Sequence, residues 1–100
     1  MTIVRLSKNG FSVKGHCTVD ESDEKGRLVC ASVSSAVYLT ANTIIEVIGD
    51  NPKITEKDGE FSLTLDTVSK SSEVVLMGFK IHLLQLVEQY PNCVKVISEV

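Results

Sequence analysis

His16 and Cys30 are the pair of side chains in this chain best suited to covalent chemistry at neutral pH, and a charged stretch separates them. An imidazole within reach of a thiol removes its proton, leaves a thiolate nucleophile, and later returns the proton to a leaving amine. Cys30 comes directly after the charged run Asp20 to Gly26 and opens a long helical pattern, so it is expected in the first turn of a helix. Amides there have no intrahelical partner and carry partial positive charge, which favours a thiolate and offers an oxyanion site. A second reading stands beside this one: a cysteine on a helix serves as a small buried hydrophobe, and a histidine near a strand end serves as a surface group. Sequence spacing does not choose between them. Cys17 falls on the opposite strand face from His16 and is expected in the core, Cys93 on the last strand is expected to pack, and His82 is expected to be partly buried in the second helix. His16, Cys17 and Asp20 are the one combination that suggests a metal, but they match neither a four-ligand zinc spacing nor a calcium loop, so no metal or cofactor is expected.

The elements that must position these residues follow from periodicity. Residues 2 to 8 alternate, with Val4 and Leu6 on one face and Ile3, Arg5 and Ser7 on the other, which predicts a strand. Asn9-Gly10 predicts a two-residue hairpin turn whose residues tolerate positive φ, and a second strand from Phe11 towards Cys17. Asp20 to Gly26 lacks an apolar anchor and predicts a mobile loop that would close as a lid over substrate, with Gly26 as its hinge. Apolar residues from Val29 to Ile48 recur at three and four and predict helix one, stopped by Gly49-Asp50-Asn51-Pro52. Lys53 to Lys57 and Glu60 to Asp66 flank Asp58-Gly59 as a second hairpin, Ser72 to Gln89 reads as helix two, and Cys93 to Ser98 as a last strand. The order ββαββαβ implies an α+β fold: a single domain over residues 1–100, with a mostly antiparallel sheet of about five strands and two long helices.

Composition narrows the function classes. With 10 Lys+Arg against 13 Asp+Glu, the net charge of -3 lacks the basic footprint of a nucleic-acid binder, so no direct nucleic-acid partner is expected. The acidic residues Asp20, Glu21, Asp23 and Glu24 suit a basic partner instead. The N-terminus lacks a secretory pattern and no apolar run is read as long enough to span a membrane, so the expectation is a cytoplasmic protein without membrane contact. Three cysteines without a C-x-x-C pair suit a reducing compartment.

Gly15-His16, a glycine-containing loop, and Leu28-Val29-Cys30-Ala31-Ser32-Val33-Ser34 resemble the paired signature of the bacterial ribosomal-processing cysteine protease family, Prp. Met77-Gly78-Phe79, Leu83-Leu84, Tyr90-Pro91 and Val94 to Val96 are similar to that family's second helix, Tyr-Pro break and last strand, so the likeness covers almost the whole chain. The resemblance implies a homodimeric cysteine endopeptidase that removes an N-terminal extension from large-subunit ribosomal protein L-twenty-seven. It implies Cys30 as nucleophile, His16 as general base and acid, and Gly15, Gly26, Ala31 and Ser34 as support. Two features depart from the family pattern. Arg27 stands where the family carries an Asp three residues before the Cys, with Gly26 one place closer to the Cys, and the His16 to Cys30 loop is about two residues longer than the pattern leads one to expect. The rival class is a small dimeric adaptor or ribosome-assembly protein in which Cys30 only packs.

Overall fold

Alternation in residues 2 to 7 is realised as β1 (Thr2–Ser7), whose Thr2, Val4 and Leu6 are buried, in a computed structural model that describes residues 1–15 and 24–99. It is followed by β2 (Gly10–Lys14), α1 (Glu24–Asn42) continuing as a π-helical segment Thr43–Ile48, β3 (Lys53–Lys57), β4 (Glu60–Thr64), α2 (Lys70–Gln89) and β5 (Val94–Ser98). The predicted order ββαββαβ is therefore the observed one, and the strands form one sheet in the order β3-β4-β2-β1-β5. The sheet is mixed. The β1–β2, β2–β4 and β3–β4 pairs are antiparallel, while β5 returns from α2 to lie parallel to β1.

The cross-strand register aligns Leu6, Phe11 and Leu63 in one row and Val4, Val13 and Phe61 in the next, so one face of the sheet is apolar. Both helices cover that face. α1 brings Val29, Val33, Val37 and Ala41, and α2 brings Phe79, Leu83 and Leu86, into a single cluster with it. Phe11 joins the two layers, its ring centroid 4.3 Å from Phe79 and 6.0 Å from Phe61, contacts worth about 0.5–1.5 kcal/mol per aromatic pair beyond the area they bury. The opposite sheet face carries the alternate residues of the same strands, Arg5 and Ser12 in one row with Ser62.

Several boundaries differ from expectation. The first hairpin turns on Lys8–Asn9, because Ser7 pairs with Gly10, and Gly10 does not have positive φ. Its glycine is required by close approach instead: a Cβ at Gly10 would lie 1.8 Å from the Leu63 carbonyl oxygen of the neighbouring strand. Asn9 uses its side chain as a clamp, donating Nδ2–H to the Leu65 carbonyl at 3.1 Å while its own carbonyl accepts the Leu65 amide at 2.8 Å. The second hairpin turns as expected on Asp58-Gly59, with Gly59 at φ 73°.

Helix one starts five residues earlier than its apolar pattern, at Glu24, so Glu24 to Gly26 belong to the helix and not to a loop. Gly26 is buried on the same helix row as Val29, Val33 and Val37; a glycine at this core position gives no hydrophobic signal, which hides the start from periodicity. Beyond Asn42 the helix widens, and both the Gly49 and Asp50 amides donate to the Ile44 carbonyl, at 3.1 and 3.0 Å, with Gly49 at φ 86° ending it. The combined helix Glu24–Ile48 has 25 residues with a mean hydropathy of 1.6 in its most apolar window, long and apolar enough to cross a membrane. That corrects the expectation that no run reaches such length, although its apolar row Val29, Val33, Val37, Ala41 and Ile44 is packed in the core.

α2 is capped by Ser69, whose Oγ accepts the Ser72 amide at 3.1 Å. Both Ser69 and Ser72 donate their hydroxyls to Asp50 Oδ2 at 2.6 Å, tying the chain after the first helix to the start of the second. These two hydrogen bonds, Ser69's first, hold the Asp50 carboxyl below the usual carboxylate range, against a smaller opposing effect of desolvation. His82 is exposed and not partly buried, because the core row of α2 runs Phe79, Leu83, Leu86 and His82 falls to one side of it.

Candidate active site

α1 crosses the sheet so that Cys30 and Ser34, one turn apart, face the ends of β1 and β2. Together they line a cleft of about 250 Å³ whose other walls include Gly15, Tyr38, Glu56 and Phe61. Cys30 is half-buried, its packing side against the apolar cluster and its other side on the cleft. A thiol in that position is held by the core yet open to a ligand, which a fully buried packing cysteine is not.

Gly15 enters the same cleft from β2. Its φ is 95°, and a Cβ there would lie 2.6 Å from the Met1 carbonyl oxygen, so both conformation and space demand glycine immediately before His16. Its amide donates to the Gly59 carbonyl at 2.9 Å, fixing the end of β2 to the turn of the second hairpin.

Of the residues singled out from sequence, Gly15, Cys30 and Ser34 come together in this cleft. Ala31 does not: it is exposed and lines a separate groove with Ser32, Ala36, Leu39, His82 and Leu86 between the two helices. Gly26 is a buried residue of the first turn of α1, where it cannot be a hinge before the helix. His16, Cys17 and the acidic residues Asp20, Glu21 and Asp23 lie outside the described residues, as does most of the expected lid.

The expectation that Cys30 sits in the first helical turn is also corrected. It is the seventh residue of α1, in the second turn, where backbone amides are committed to the helical ladder. The helix start, where the dipole acts, is therefore one turn away from the thiol along the helix.

Sequence reasoning missed Tyr38, Glu56 and Phe61. Tyr38 continues the i, i+4 row Cys30–Ser34–Tyr38, a spacing visible in the sequence once the helix is known to carry the site. Its hydroxyl donates to Glu56 Oε1 at 2.5 Å, and that hydrogen bond, then the carboxylate charge, then burial raise its pKa above the ordinary tyrosine value.

The sequence matches the family model described as cysteine protease Prp over residues 1–95. The fold is shared with solved structures of an essential ribosomal processing protease Prp from S. aureus. The form with a covalently linked product peptide superposes with a TM-score of 0.87 at 21% identity, covering 99% of this chain and 100% of that one. The form with a substrate peptide gives 0.86 at 20% identity over the same shares, 99% and 100%. SMU.848 from Streptococcus mutans is similar at a TM-score of 0.72 and 18% identity, covering 97% of this chain and 90% of its own. No curated protein matches the sequence.

Proposed function

The chain belongs to the cysteine protease Prp family, and from that premise we propose that it is an endopeptidase working through a Cys30–His16 dyad. The observation that carries this reading is the placement of the motif cysteine on an open cleft, facing the glycine that precedes His16. In the proposed reaction His16 takes the proton of the Cys30 thiol, the sulfur attacks the scissile carbonyl carbon, and protonated His16 delivers the proton to the leaving amine as the C–N bond breaks. Water then hydrolyses the thioester, releasing the acid product and restoring the thiol. Activation of the thiol, in the second turn of α1, rests on His16.

The proposed substrate is the precursor of large-subunit ribosomal protein L-twenty-seven, cleaved in the cytoplasm to remove an N-terminal extension. Support comes from the shared fold of the S. aureus relative, a ribosomal processing protease that binds a substrate peptide. The net charge of -3 suits a basic ribosomal protein. A homodimer is also proposed, with two copies pairing along α2. The row Val74, Met77, Ile81 and Leu84 supports it: spaced at three and four residues, these side chains are 71%, 54%, 51% and 43% exposed.

The test is cleavage of a peptide spanning the extension and the first mature residues. Cys30→Ala is expected to abolish turnover without unfolding the chain, and His16→Ala to lower it by roughly two to four orders of magnitude. Retained turnover in purified Cys30→Ala overturns the protease assignment, and normal turnover in His16→Ala removes the imidazole from the mechanism. The adaptor alternative predicts slow, equal alkylation of Cys17, Cys30 and Cys93 by iodoacetamide, whereas a catalytic Cys30 reacts first.

A further inference from the structure

Tyr38 stands two helical turns beyond Cys30, and its hydroxyl reaches across the cleft to Glu56 Oε1 at 2.5 Å. Its ring meets Phe61 edge-on, with centroids 5.8 Å apart and planes at 76°. Glu56 belongs to β3, an edge strand with five exposed residues whose one sheet neighbour is β4. The register sets Glu56 opposite Phe61 and Phe61 opposite Val13, so Glu56 lies on the helix-facing side of the sheet. An inward-facing charge is one way an edge strand avoids pairing with another chain, and here a hydroxyl from the cysteine's own helix meets that carboxylate. At the tip of the same hairpin, the Gly59 carbonyl accepts the Gly15 amide at 2.9 Å. The β3–β4 hairpin is thus tied at one point to the helix that carries Cys30 and at another to the residue that precedes His16.

We propose that Tyr38 and Glu56 are positioning residues for the Cys30 chemistry: their hydrogen bond fixes the Lys57–Glu60 turn over α1, and the turn fixes the Gly15 backbone relative to Cys30. The proposal deepens the protease reading and rests on it. An exposed hydrogen bond of this kind adds little to global stability, since water competes for both partners. A displacement of about 1 Å between reacting groups, in contrast, costs on the order of a hundredfold in rate. The pair is therefore expected to show in turnover far more than in melting temperature.

The experiment uses the whole chain, the extension-spanning peptide and iodoacetamide. Tyr38→Phe keeps the ring on Phe61 and removes the donor, Glu56→Ala removes the acceptor, and Glu56→Gln keeps an accepting oxygen. Tyr38→Phe and Glu56→Ala are each expected to lower kcat roughly threefold to thirtyfold, the range for directly coupled residues, with KM within about twofold. The double variant is expected to be no slower than the slower single one, and Glu56→Gln to regain most of the rate. Alkylation of Cys30 by iodoacetamide should slow in step with kcat, a readout independent of substrate binding. Wild-type kcat in Tyr38→Phe, losses that multiply in the double variant, or Glu56→Gln as slow as Glu56→Ala overturns the positioning role. If Tyr38→Phe fails to fold, the Glu56 pair of variants decides the question alone. Failure of the protease reading looks different: the unmodified chain itself then neither cleaves the peptide nor reacts preferentially at Cys30, and the positioning role falls with it.

Discussion

Replacing Gly15 by alanine separates two costs that the structure assigns to one position. The first is conformational. Gly15 has φ 95°, a region an L side chain rarely adopts, and forcing alanine into it costs about 1–3 kcal/mol. The second is steric: the added Cβ would stand 2.6 Å from the Met1 carbonyl oxygen, a backbone atom with no flexible side chain to move aside. Alanine's smaller unfolded-state entropy offsets about 0.4–1 kcal/mol. Gly49 provides the internal control, since its φ is 86° and a Cβ added there would meet nothing within 4 Å. Gly49→Ala is therefore expected to lose about 1 kcal/mol and Gly15→Ala about 1–2 kcal/mol more, given a contact that must be relieved by shifting β1. For a domain of this size each kcal/mol lowers Tm by about 4–8 °C, so the two variants should be well separated in thermal or urea unfolding. Peptide cleavage by the folded fraction adds a second reading: Gly15→Ala should fall below about a tenth of the unmodified rate, because a shifted backbone before His16 misplaces the reacting groups, while Gly49→Ala should cleave normally. Equal destabilisation by the two substitutions refutes the contact argument, and full activity in Gly15→Ala refutes the link between this glycine and the site.

Two further outcomes follow from other parts of the molecule. Asp50 has a lowered carboxyl pKa because Ser69 and Ser72 donate to it, so its stabilising effect is complete above the ordinary carboxylate pKa of about 3.9 and is lost as pH falls through the lowered folded-state value. Asp50→Asn should unfold at lower urea than the unmodified chain at pH 7, with the gap narrowing on acidification below about pH 4; a gap that persists unchanged at low pH contradicts the assignment. Ile81→Lys places a charge in the exposed row of α2, and sedimentation velocity should show it shifting the proposed dimer to monomer with Tm of the monomer unchanged. A monomeric unmodified chain at the same concentration excludes pairing along this face.

Local pattern alone determined most of the elements here. Period-two alternation in Ile3 to Leu6 and Phe61 to Leu65, the Asp58-Gly59 turn, and the three-and-four spacing in helix one are short-range consequences of backbone geometry, and each appears in the structure. The resemblance in Gly15-His16 and the Cys30 motif likewise pointed to the family that the match over residues 1–95 establishes. The start of α1 was not legible, because the core position of its first turn is Gly26 and its remaining early residues are charged and exposed. That single misplacement moved Cys30 from the second turn to the first, beside the amides of the helix start. Nor could the sequence say that both helices cover one sheet face, that β5 runs parallel to β1, or that Tyr38 meets Glu56 across 18 residues. Those facts depend on how strands are ordered in the sheet and how α1 lies over it. They are fixed by the burial of one common apolar surface, a property of the assembled layers that no local stretch of residues contains.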